Sequence, residues 1–137
     1  MKSATALPTD ASAASYARTF VRRVLGAWRL EPLESEVSLL ATELVTNGLR
    51  HGGGSRSLAL TRRGDRLRIA VADNEPMRSP HRQDPSRTAE GGRGLALVEA
   101  MSAAWGTRRS PLRRGKVVWC EVLIRDGDRP AGAAAPS

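Results

Sequence analysis

Cysteine and aromatic residues are scarce in this 137-residue chain: one Cys, one Tyr, one Phe and three Trp. A lone Cys120 cannot close an internal disulfide, and it sits inside a hydrophobic strand pattern. It is therefore expected to be a buried structural thiol in a reducing cytoplasm. With aromatics at 4%, the core must come from Leu, Val and Ala. The only two histidines, His51 and His81, are far apart, so no Cys/His cluster has the spacing of a metal site. No apolar run approaches the roughly 20 residues of a membrane-spanning helix. Residues 1–9 lack the apolar centre of an export signal, which again points to a cytoplasmic protein.

Lysine is scarce too. Of the 22 basic residues, 20 are Arg, Ala is equally abundant, and the net charge is +8. Such a charge suggests nucleic acid. The arginines are spread along the chain, however, and the arginine–alanine balance reads as a coding bias. No aromatics are interleaved with them to form a stacking platform, so nucleic acid is disfavoured as a partner.

What is present is organised around Glu43-Leu-Val-Thr-Asn47-Gly-Leu-Arg50-His51. Val37, Leu40, Ala41, Leu44, Val45 and Gly48 or Leu49 recur at helical spacing and form a core-facing stripe. Glu43, Asn47 and Arg50 or His51 make a second, polar face. A carboxylate can polarise a hydroxyl, an amide oxygen can ligate Mg²⁺, and a guanidinium can meet phosphate. The plainer alternative is a solvated helix face that stops at Gly52-Gly53-Gly54.

Around this helix the patterns follow in order. Residues 1–11 are small and polar and are expected to be disordered. Ala17, Phe20, Val21, Val24, Leu25 and Trp28 trace a first helix, after Asp10 or Ser12 as cap. Beyond the second helix, Ser57 to Thr61 and Leu67 to Asp73 alternate about a turn at Arg62-Arg63-Gly64-Asp65, predicting an antiparallel hairpin with Asp73 at its strand end. Residues 74–91 have no period and read as a lid or binding loop. Gly91-Gly92-Arg93-Gly94-Leu95 then runs into a third helix, and glycines at a helix N-terminus suit phosphate. Two strands, Ala104 to Arg108 and Lys116 to Ile124, close the domain, with Trp105 and Trp119 as packing residues. Residues 125–137 read as a disordered tail. The predicted fold is α+β: residues 12–124 as a two-layer sandwich, one mostly antiparallel sheet covered on one face by about three helices.

Glu43-x-x-x-Asn47 on a helix, Asp73 at a strand end and Gly92-Arg93-Gly94-Leu95 after a long loop resemble, in that order, the histidine-kinase/Hsp90-type ATPase domain, the Bergerat fold. Within it the chain is most similar to small bacterial anti-sigma-factor serine/threonine kinases. The resemblance implies ATP and Mg²⁺ as cofactors and a cytoplasmic regulator of transcription. By it, Asn47 looks like the Mg²⁺ ligand, Glu43 the general base, and Arg50 a basic group that reaches the phosphates. Asp73 looks like the acceptor of the adenine amino group. Gly92, Arg93, Gly94 and Leu95 resemble the second glycine box. The implied partners are a sigma factor and an anti-anti-sigma protein, with homodimerisation through about residues 12–30.

One departure stands out. The first glycine box usually reads Asp-x-Gly-x-Gly, whereas Asp73 is followed by Asn74-Glu75-Pro76. This motivates an alternative, an ATP-gated binding module of the same fold without useful catalysis.

Overall fold

The computed structural model describes residues 1–50, 54–73, 95–109 and 115–128, the side chains of 49 and 50 excepted. Its elements run β1 (Lys2–Ala6), α1 (Ala13–Ala27), a 3₁₀ turn (Glu31–Leu33), α2 (Glu34–Arg50), β2 (Ser55–Arg63), β3 (Arg66–Asp73), α3 (95–101), β4 (Ala104–Arg109) and β5 (Lys116–Leu123). The five strands form one antiparallel sheet in the order β1-β2-β3-β5-β4. The helices cover one face of it, as the patterning predicts.

Both helical stripes pack as their spacing requires. Ala17, Phe20, Val21, Val24 and Leu25 of α1 are buried, as are Val37, Leu40, Ala41, Leu44 and Val45 of α2. They meet Leu58, Leu60, Leu67, Ile69 and Val71, which share one face of the β2–β3 hairpin because strand side chains alternate. Gly64 stands first in the two-residue turn with φ 59°, the arrangement of a II′ turn. Val118, Cys120 and Val122 extend the core onto β5, and Val98 anchors α3 to it. Each large side chain so buried contributes roughly 1.5–3 kcal/mol relative to exposure.

The α1 terminus is closed by backbone geometry. Leu30 N–H donates to the Leu25 carbonyl at 2.8 Å and Arg29 N–H to that of Gly26 at 3.2 Å. This is a Schellman closure, which requires a left-handed residue at the position Arg29 occupies with φ 60°.

Two expectations need correction. Residues 1–11 are not disordered: Lys2–Ala6 pair in register with Thr61 to Ser57, and Asp10 accepts hydrogen bonds from the Ser12 N–H at 2.9 Å and hydroxyl at 2.5 Å. The free edge of β2 supplies the partners that short polar residues lack locally. Nor does the tail begin at 125. Ile124 N–H donates to the Asp65 carbonyl, and Asp126–Asp128 form a 3₁₀ turn whose Asp128 accepts from Arg125 N–H at 2.8 Å. Residues 129–137 and the whole of the expected lid at 74–91 lie outside the described residues.

Trp105 packs against the core. Trp119 points to the other face of the sheet, where the Arg68 guanidinium lies 4.2 Å from its ring centroid.

Candidate functional site

Among the described residues, three polar or charged side chains are buried: Asn47 (6% exposed), Ser55 (0%) and Asp73 (2%). Chain topology brings all three to one end of the sheet, on its helical side. Asn47 is in the last turns of α2. Asp73 ends β3 on the same face as Leu67, Ile69 and Val71. Ser55 opens β2 and pairs directly with Asp73.

Ser55 reaches this position through a bulge. Counting outward from Leu58 and Leu60, strict alternation would turn Ser55 to the open face. The register shifts between Ser55 and Ser57, so two β2 residues are spent against one on β3 and Ser55 turns inward. Its hydroxyl then donates to the Val45 carbonyl of α2 at 3.0 Å. On the other side of β2 the Arg56 carbonyl continues the β1–β2 register and accepts the Leu7 N–H at 3.0 Å. One serine thus ties the strand pair that ends in Asp73 to the helix that carries Asn47.

The close approach also depends on Gly48. A Cβ at that position would fall 2.3 Å from Ser55 Oγ, well inside any normal contact. The glycine beside Asn47 therefore lets the helix end settle on the start of β2.

Asn47 Oδ1 is buried and has no hydrogen-bond partner among the described residues, a condition it shares with Thr42 Oγ1 alone. A buried carbonyl oxygen without a partner costs about 1–3 kcal/mol, so such a group in a native fold calls for a ligand or water. An amide oxygen in this state fits the donor chemistry of Mg²⁺, a hard cation that prefers oxygen ligands. Glu43, half-buried one turn before Asn47, shares its side of the helix at roughly 5–6 Å between Cβ atoms. The reading of this face as fully solvated fails, because Asn47 is enclosed.

Other expected site residues stand differently. Arg50 ends α2, with its side chain outside the described part. Gly92, Arg93 and Gly94 also lie outside the described residues, and Leu95 is the half-buried first residue of the described α3. Sequence reasoning missed Ser55 and the steric role of Gly48. Neither has a local signal, since a bulge is visible only once β2 and β3 are paired. No group of three or more His, Cys, Asp or Glu side chains among the described residues could hold a metal. No described helix is long and apolar enough to cross a membrane.

Comparison with known proteins agrees with this fold. No curated protein matches the sequence. The histidine kinase domain of the blue-light activated histidine kinase from Erythrobacter litoralis EL346 matches in structure with a TM-score of 0.52. The match covers 90% of this chain and 68% of that one at 17% identity, a likeness of fold. A family model, the histidine kinase-like ATPase domain, matches residues 7–122. A helix-covered antiparallel sheet, an enclosed asparagine near the end of α2 and a buried aspartate at a strand end thus occur in a chain that belongs to the histidine kinase-like ATPase domain family.

Proposed function

We propose that the chain is an ATP-binding regulatory protein that acts as a serine/threonine kinase on an anti-anti-sigma-type partner and alternately sequesters a sigma factor. Family membership supports the nucleotide, and the unpartnered Asn47 Oδ1 beside the Ser55–Asp73 pair is the observation that carries the reading.

The roles follow from the chemistry of each group. In this reading the Asp73 carboxylate accepts the adenine amino hydrogen bond, which guanine cannot offer because it has a carbonyl there. Asn47 would hold Mg²⁺ through Oδ1, and the cation would supply charge neutralisation on the phosphates. Glu43 accepts the proton of the attacking serine or threonine hydroxyl as the terminal phosphoryl group passes to that oxygen, its bond to the bridging oxygen breaks and ADP leaves. Arg50, Arg93, Leu95 and the glycines Gly92 and Gly94 complete the phosphate end. Positioning and electrostatics dominate such transfers, so an enclosed, stitched site suits them.

The test is phosphoryl transfer from labelled ATP to a serine-containing anti-anti-sigma-type protein. Glu43→Ala should keep nucleotide binding and lose transfer. Normal transfer by that variant would remove Glu43 as the base.

A second reading rests on one observation: residues 74–90 contain no glycine, so the first glycine box is not there. The chain is then an ATP-gated protein-binding module, in which nucleotide biases a partner surface without turnover. Glu43-dependent transfer in the same assay decides against it.

A further inference from the structure

The face of the sheet turned away from the helices forms an open trough of about 360 Å³. Its floor is made of small side chains: Ser57 and Ala59 of β2, Ala70 and Ala72 of β3. Strand registers align Ala4, Ala59 and Ala70 in one row across β1, β2 and β3, and the row continues through Trp119 on β5 to Gly106 on β4. Alanine is depleted in strands, and a solvated face normally carries Thr or long polar residues. A floor of methyl groups is what a close-approaching partner needs.

The rim is basic. Among the described residues, Lys2, Arg63, Arg66, Arg68 and Arg108 line the trough with a single carboxylate, Glu121. Five cations less one carboxylate leave a net +4. Glu121 is already engaged, by Arg66 Nη1 at 3.2 Å and Arg68 Nε at 2.9 Å, while Arg68 also covers the Trp119 ring. Burial works to raise the Glu121 pKa, but hydrogen bonds and charge from Arg68 and Arg66 outweigh it and hold the carboxyl below its ordinary value. Among the described residues, Lys2, Arg63 and Arg108 have no charged or hydrogen-bonding side-chain partner. This is a localised concentration: the two long helices, α1 and α2, together carry four Arg and three Glu.

We propose that this face docks an acidic amphipathic helix of a partner protein, with the apolar edge of that helix on the alanine floor and its carboxylates on the Lys2, Arg63 and Arg108 rim. Three strands at about 4.8 Å spacing span about 10 Å, the width of one helix. A nucleic acid would leave the methyl floor unmatched, and the one aromatic ring on the face is capped by Arg68. A second copy placing the same face on this one would set like charges against each other. The surface lies on the opposite side of the sheet from Asn47 and Asp73, so the inference stands apart from the proposed function.

The test is fluorescence anisotropy at ~150 mM salt with a labelled helical peptide of about 18 residues, Leu and Ala on one stripe with Glu on both flanks. Its composition-matched scramble and a DNA duplex serve as comparisons. Micromolar binding of the helical peptide alone is expected. Arg63→Glu with Arg108→Glu should weaken it about tenfold or more, as should Ala59→Leu with Ala70→Leu, without moving the thermal midpoint. Equal binding of the scramble, preference for the duplex, unchanged affinity in both variants, or no peptide binding by about 1 mM would each overturn the proposal.

Discussion

Gly48 of α2 lies against the hydroxyl of Ser55: a Cβ there would come within 2.3 Å of Ser55 Oγ, while the same hydroxyl donates to the Val45 carbonyl at 3.0 Å. The helix end that carries Asn47 is thereby seated on the bulged start of β2, next to Asp73. Site geometry here depends on a missing side chain as much as on a present one.

This contact yields a double-mutant test. Gly→Ala inside a helix ordinarily stabilises by about 1 kcal/mol, and overpacking a tight contact costs about 1–3 kcal/mol. At position 48 the clash should win, so Gly48→Ala is expected to lower stability by roughly 1 kcal/mol or more. In a Ser55→Ala background the remaining neighbours stand at 3.4 and 3.5 Å, and the sign should reverse. Urea unfolding of the four proteins measures this. Additive effects would mean that the two residues do not meet as described.

Arg29 is held at φ 60° by the Schellman closure of α1. The left-handed conformation costs a non-glycine residue about 1–2 kcal/mol, and glycine gives part of that back through its freer unfolded chain. Arg29→Gly should therefore stabilise by about 0.5–1 kcal/mol and raise the thermal midpoint by a few degrees. A lower midpoint would show that the Arg29 side chain matters more than its backbone.

The Cys120 thiol is pushed up to about 12 by burial first, then by the nearby charges of Glu121 and Glu36. Its ordinary value is 9.0, so the unfolded chain loses this proton first as pH rises. The folded state binds more protons between pH 9.0 and about 12, and stability must fall through that window. Unfolding free energies at pH 8 and 10 should differ less for Cys120→Val than for the parent. At neutral pH the native thiol should resist thiol reagents until urea opens the fold.

The elements legible in the sequence were those whose pattern and contacts agree. Val37, Leu40, Ala41, Leu44 and Val45 could only be a buried helix stripe, and Leu58, Leu60, Leu67, Ile69 and Val71 only the inner face of a hairpin. Strand β1 was not legible. Lys2–Ala6 is short and small, and its hydrogen bonds come from residues 57–61, more than fifty positions away. Asn47 and Asp73 could be singled out by chemistry and spacing, but their enclosure could not. It depends on the Ser55–Ser57 bulge and on Gly48, which acquire meaning only when α2 meets β2.

The most direct measurement is calorimetric titration of the chain with Mg-ATP and Mg-GTP, beside Asn47→Ala and Asp73→Asn. Adenine-selective binding is predicted, weakened about tenfold or more in each variant, since a hydrogen bond to a charged group contributes about 1.5–3 kcal/mol. Equal binding of both nucleotides, undiminished ATP binding in the two variants, or no ATP binding by the parent would contradict the assignment of this end of the sheet as the nucleotide site.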